Sequence, residues 1–254
     1  MDFVPTIEEE VLLTHTPREF RFFNGSVILV ETQVDRAALV DLVPAALREG
    51  VTGALRFAFG RWDSNCAGSY SSASVTIPTH FEGVPGEYVV VMYVDSERAV
   101  QFGRDWFGEP KRHGTVSVEF EAPGATTELA SAGEVLMRVG VSTQRDGFIG
   151  QTESRNFNMR ARIDPNSEEL VTDAQLNQLL FESEIMEHRV GTAWIEIPAV
   201  PSSPFLQLDI PSYGTGRLLK VDMRANYSEL AVLEPREARR FFLGRMGHTF
   251  KALD

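Results

Sequence analysis

Positive charge is scarce in this chain. Lysine and arginine number 24 against 36 acidic residues, a formal net charge of −12. Such a surface repels phosphate backbones, and the arginines that exist, such as Arg236, Arg239 and Arg240, form no broad patch. Nucleic acid is therefore not an expected partner. Long hydrophobic runs are also missing. No apolar stretch approaches the ~20 residues of a bilayer-spanning helix, so no membrane association is expected. The opening MDFVPTIEEE lacks the charged-then-apolar layout of a secretory signal. Cysteine is almost absent: Cys66 stands alone, which rules out an internal disulfide and suits a reducing cytoplasm. HExxH, GxSxG and glycine-rich phosphate loops are absent too, and with them the common zinc, serine-hydrolase and nucleotide chemistries.

What the sequence does contain is strand. SVILVETQV (Ser26–Val34) is rich in β-branched residues, and EYVVVMYV (Glu87–Val94) is apolar enough for a strand covered on both faces. TVSVEFE alternates, with Val116, Val118 and Phe120 on one face. EVLMRVGVST is its expected partner across a Gly/Ala/Ser/Thr-rich connection at Ala122–Gly133. AWIEIPAV, FLQLDI and RLLKVDM extend the series. Helices are fewer. Asp35 is placed to cap RAALVDLV, which stops near Pro44. From Asp173, DAQLNQLLFESEIMEH brings Leu176, Leu179, Leu180 and Ile185 near one helical face. PREARRFFLGRM has Pro235 at a first helical position. This balance predicts a mainly β, α+β fold: antiparallel strands closed into a barrel, with a few helices packed outside. In GALRFAFGRW, Leu55, Phe57 and Phe59 face one way while Arg56, Ala58 and Gly60 face the other. The small residues either line a cavity or admit another element.

The stretch GRDWFGEPKR places Lys111 directly beside Arg112. An ordinary lysine has a pKa of about 10.4, so roughly one molecule in a few thousand carries a neutral, nucleophilic amine at pH 7. Burial and a nearby cation both favour the neutral form. Arginine suits that second role because it does not shed its own proton. Adjacent strand residues point to opposite faces, so the effect needs a bend, which Gly108 and Pro110 make available. This reading requires the amine to lie in a dry hollow, without a carboxylate partner. The bland alternative is a solvated turn.

The run GEYVVVMYVDSERAVQFGRDWFGEPKR resembles the acetoacetate decarboxylase superfamily, and FRFFNGSVILVETQVDRAALVDLVP, GSYSSASVTIP and LDIPSYGTGRL follow the family's order. The resemblance is good over about Phe20–Phe120 and thin afterwards, and the end from about Tyr227 departs from the pattern. It implies a single domain over residues 1–254, an antiparallel β-barrel or cone around an apolar pocket, and a homo-oligomer. It further implies an imine on the lysine of the Pro-Lys-Lys/Arg motif, here Lys111, with Arg112 as the tuning cation. No cofactor is implied beyond the covalent imine, and the expected partner is a small carbonyl compound.

Three positions depart from the family. Its decarboxylases carry an arginine where this chain has Gly25, and glutamates where it has Ala58 and Ser72. That argues against decarboxylation of a small β-keto acid and toward aldol, retro-aldol or dehydration chemistry on a medium-sized, partly apolar substrate. The expected function is a metal-free Schiff-base lyase. β-Keto acid decarboxylation and a non-catalytic binding barrel remain as alternatives. Candidate proton shuttles are Tyr70, Ser71, Ser72, Glu109 and Tyr213, and Trp62, Trp106 and Phe107 are candidate pocket walls. His113 follows the motif and is either a site neighbour or a turn residue. Glu184 and His188 would share a helical face at i, i+4, but lack a third metal ligand. Cys66 carries no nucleophile signature.

Overall fold

The computed structural model describes residues 19–162, 173–201 and 203–241, with 237 and 240 excepted. In chain order its strands are β1 (Phe20–Gln33), β2 (Ala54–Ser64), β3 (Tyr70–Phe81), β4 (Val84–Val94), β5 (Lys111–His113) and β6 (Thr115–Glu121). β7 (Gly124–Ser131), β8 (Glu134–Asp146), β9 (Gly150–Arg160), β10 (Ala174–Glu196) and β11 (Tyr213–Leu233) follow. Helices α1 (Arg36–Val40) and α2 (Glu97–Phe102) are short, and α2 runs into a π turn at Gly103–Phe107.

Seven strands close into a barrel in the order β1-β2-β3-β4-β9-β10-β11, with β11 returning to β1. All neighbours in it are antiparallel except β4 and β9. The far half of β10 leaves β9 and pairs with β8, which starts an antiparallel layer continuing through β7 to β6. β6 folds back over β2, β3 and β4. The main hydrophobic core thus lies outside the barrel, between its wall and this second layer: Leu55, Phe57, Phe59, Val75 and Ile77 meet Val116, Val118, Leu129, Met137 and Val139 there. Apolar burial of this kind contributes ~25 cal/mol per Å², so the outer face of the wall is the main stabilising surface. The inner face is left free to line a cavity.

Asp35 caps α1 as expected, its carboxylate accepting from the Ala37 amide. Pro235, Arg236, Ala238, Arg239 and Phe241 are helical, and the remainder of PREARRFFLGRM lies outside the described residues. Three expectations are corrected. The Ala122–Gly133 connection contains β7, a full strand between β6 and β8. FLQLDI opens as a 3-10 turn, Pro204–Gln207. The segment from Asp173 is a strand of 23 residues, not a helix. Its leucines and glutamates favour helix weakly, but β9, β8 and β11 satisfy its backbone on both edges, and tertiary pairing outweighs propensity. No described helix is long and apolar enough to cross a membrane.

Candidate active site

The barrel encloses a cavity of about 460 Å³. One hydrogen-bonded row crosses its wall: Arg217, Leu29, Ala58, Ser74, Met92 and Lys111, each the register partner of the next. Every member lines the cavity. The small inward residues of β2 therefore make space for a ligand rather than for another element of the fold.

Lys111 reaches this wall through a sharp local path. Gly108 ends the π turn in the left-handed region at φ 67°, where a side chain would be strained. Glu109 and Pro110 follow, and the Pro110 carbonyl accepts from the Met92 amide, docking β5 parallel to β4. Lys111 is 5% exposed, and its Nζ lies 2.9 Å from Glu109 Oε2. Glu109 Oε2 makes no aligned hydrogen bond among the described residues, so this is an ionic contact outside hydrogen-bonding geometry. Gly103 provides the room. A Cβ there would lie 2.6 Å from Glu109 Oε2 and 2.7 Å from Lys111 Nζ. Above the amine, the Tyr70 ring centroid is 5.5 Å away. Burial first, and the Glu109 charge second, hold the Tyr70 hydroxyl well above the usual tyrosine range, so it stays a proton donor.

The amine is buried as expected, but the expectation that it lacks a carboxylate partner is overturned: its charged neighbour is Glu109, so repulsion by an adjacent cation is not what would neutralise it. The chain bends at Gly108–Pro110, before Lys111, and β5 is extended from Lys111 onward. Arg112 therefore points to the opposite face, where its guanidinium hydrogen-bonds the hydroxyl of Tyr93. Arg112 is not among the residues lining the cavity.

Two of the three positions that depart from the expected pattern, Gly25 and Ser72, meet at one indole. Trp62 lies over Gly25, whose Cβ would be 2.9 Å from Trp62 Cε3, and over Gly60, whose Cβ would be 2.8 Å from Nε1. Trp62 Nε1 donates to Ser72 Oγ at 3.2 Å. Ala58 lines the cavity beside them. An indole thus occupies the space at Gly25 and Ser72, where the resemblance led charged residues to be expected.

Of the remaining candidates, Tyr213 is 76% exposed and lines a separate hollow with Trp194, outside the barrel cavity. Trp106 is also exposed and stacks on Phe102 with centroids 5.4 Å apart. Phe107 is buried against Phe20 and Phe102, supporting the lysine loop from behind. Ser71 donates its amide to Asp95 Oδ1, and His113 is exposed. Glu184 and His188 lie on β10, where four residues span roughly 13 Å, so the helical pairing does not exist. No group of His, Cys, Asp and Glu among the described residues is arranged to hold a metal. Burial pushes the Cys66 thiol up, away from a nucleophilic thiolate.

A family model described as acetoacetate decarboxylase matches residues 6–234. The chain belongs to the acetoacetate decarboxylase family. The match runs through the Tyr227 region, which the sequence pattern alone had left outside. An acetoacetate decarboxylase of Acidiphilium cryptum is 32% identical over 148 residues, covering 58% of each chain. One of Bradyrhizobium diazoefficiens is 32% identical over 107 residues, covering 42% of each. These alignments span about two fifths to three fifths of those relatives' length. Among solved structures, the acetoacetate decarboxylase of Legionella pneumophila superposes with a TM-score of 0.78 at 15% identity, covering 91% of this chain and 98% of that one. The enduracididine biosynthesis enzyme MppR complexed with pyruvate gives 0.73 at 16%, covering 85% and 92%. At these identities the likeness is one of fold.

Sequence reading missed several residues of the family barrel. Arg56 and Arg217 line the cavity as well. Asn158 and Asn177 face each other in register, fully buried, with side-chain atoms that find no hydrogen-bond partner among the described residues. Thr215, Arg217, Leu219, Val221 and Met223 alternate along β11, so the expected strand RLLKVDM already carried the inward positions of Arg217, Leu219, Val221 and Met223.

Proposed function

We propose that the protein is a lyase that forms an imine between Lys111 and a keto acid or related carbonyl compound. The observation that carries this is a lysine amine buried at the wall of the barrel cavity in a protein of this family. Its contact with Glu109 replaces the expected cation effect with a different route to a neutral amine, transfer of the proton to the carboxylate. Holding two opposite charges away from water costs several kcal/mol per ion. Passing the lysine proton to Glu109 cancels both charges and leaves a neutral amine. That amine attacks the carbonyl carbon, its nitrogen loses a proton, and the resulting carbinolamine expels water to give the iminium. The iminium nitrogen then accepts the electron pair of a breaking carbon–carbon bond, or loses an adjacent proton to form an enamine that attacks a second carbonyl. Glu109 and the Tyr70 hydroxyl are the proton carriers at the reacting atoms. Water closes the cycle by hydrolysing the imine.

Borohydride reduction in the presence of keto acids tests this reading. A mass adduct on the Lys111 peptide, absent in Lys111→Ala, supports it, and tight binding with no adduct makes the barrel a binder. Carbon dioxide release separates decarboxylation from aldol chemistry; the Trp62 wall at Gly25 and Ser72 favours the latter. Glu109→Gln separates the two roles of the pair. A proton-carrying Glu109 predicts that adducts still form while turnover falls about 10²–10⁴-fold. If Glu109 only restrains the amine, turnover rises instead.

A further inference from the structure

Six charged side chains line the barrel cavity: Glu31, Arg56, Glu87, Glu109, Lys111 and Arg217. Five of them engage one another. Lys111 meets Glu109. Arg56 Nε meets Glu31 Oε2 at 2.6 Å, and its Nη1 meets Glu87, whose other oxygen accepts from Thr76. Arg217 is left over. Among the described residues no hydrogen bond or ion pair engages its guanidinium, although the residue is half-buried. Arginine does not discharge by losing a proton, so a partly desolvated, unpaired guanidinium attracts an anion. Its planar fork matches a carboxylate with two parallel hydrogen bonds.

Arg217 and Lys111 face each other across the barrel. From β4, which carries the Lys111 strand, β11 is three steps away through β9 and β10, and four through β3, β2 and β1. Lys111 Nζ approaches Tyr70, whereas Arg217 lies one inward position from Thr215, the register partner of Glu31 in the Arg56 cluster. The row between the two cations is Leu29, Ala58, Ser74 and Met92, apolar but for one hydroxyl, whereas Thr152, Ser154, Asn156 and Ser183 line the β9–β10 side.

We propose that Arg217 receives the carboxylate of an oxo acid whose carbonyl is held at Lys111, with acid and carbonyl separated by an apolar spacer of several carbons. The carbonyl half of this assignment rests on the imine reading; the carboxylate half stands on Arg217 alone. Two measurements keep them apart. Calorimetry compares heptanoate with heptan-1-ol, neither of which forms an imine. The expected result is that heptanoate binds at least about tenfold tighter, that Arg217→Gln removes that advantage, and that Arg217→Lys keeps part of it. Equal binding of acid and alcohol to the unmodified protein overturns the proposal, as does an Arg217→Gln protein with unchanged circular dichroism and an unchanged preference. Borohydride trapping then compares 6-oxoheptanoate, heptan-2-one and pyruvate. Half-maximal trapping of 6-oxoheptanoate at about tenfold lower concentration than either of the others supports the spacer, and equal or better trapping of pyruvate overturns it. Adducts with none of the three, alongside preferred heptanoate binding, remove the imine reading and leave Arg217 as a carboxylate site.

Discussion

The two faces of β2 have opposite fates. Leu55, Phe57 and Phe59 turn outward and are buried to within 1% under the β6–β8 layer. Arg56, Ala58 and Gly60 alternate with them and turn inward, and the strand from Arg56 to Gly60 forms part of the cavity wall. One strand therefore serves as core on one side and binding wall on the other, two residues per repeat. Stability and chemistry are separated by the pleat, so substitutions on the two faces should fail in different assays.

The largest expected effect is on the outer face. Phe57→Ala should cost about 3–5 kcal/mol by denaturant unfolding, because a fully buried ring leaves a hole that the second layer fills only in part. Folded Phe57→Ala should still trap carbonyl compounds on Lys111. A loss of trapping larger than the loss of folded protein would show that the faces are coupled.

Next is Gly103→Ala, which acts on the cavity side. The new methyl collides with the Glu109 carboxylate and the Lys111 amine, flexible ends that swing aside, so unfolding should change by only ~1 kcal/mol. The displaced amine, however, should lose about hundredfold in turnover, since misplacement by about 1 Å is costly in rate. A destabilised but fully active Gly103→Ala protein would contradict the site geometry. Smaller again is Ala58→Leu. It adds volume to an open wall, so stability should stay within about 1 kcal/mol, while trapping of medium-length keto acids weakens about tenfold and that of pyruvate changes less.

How far the sequence foretells these residues follows from the range of the forces involved. The β2 alternation is legible because strand side chains have period two whatever their neighbours. Lys111 is legible through its motif, and the inward path of Glu109 follows from the bend that Gly108 and Pro110 announce. The direction of Arg112 was implicit in the same rule, since no bend separates it from Lys111. The strand at Ala174–Glu196 was not legible, because its leucines suit either period and its state is decided by partners on β9, β8 and β11. Arg217, on the strand RLLKVDM that the sequence does announce, was hidden for another reason. Its importance lies in having no partner inside a cavity built from distant strands, a property that sequence spacing does not encode.

The smallest effect sharpens the comparison most. Tyr70 faces the cavity, and Tyr93 on β4 faces the core. Burial raises the hydroxyl of both, but Glu109 adds to the rise at Tyr70, whereas Arg112 offsets it at Tyr93. An unfolded tyrosine loses its proton near pH 10. Above that pH the folded state binds more protons than the unfolded one, so stability falls as pH rises, and below it neither hydroxyl contributes a slope. Phenylalanine at either position removes that position's part of the alkaline decline. Unfolding midpoints measured between pH 9 and pH 11 should therefore flatten more in Tyr70→Phe than in Tyr93→Phe, with both curves parallel to the unmodified protein below pH 9. An equal or reversed pair of slopes would mean that Glu109 does not present a negative charge to Tyr70 over this range, as when it keeps the proton passed from Lys111.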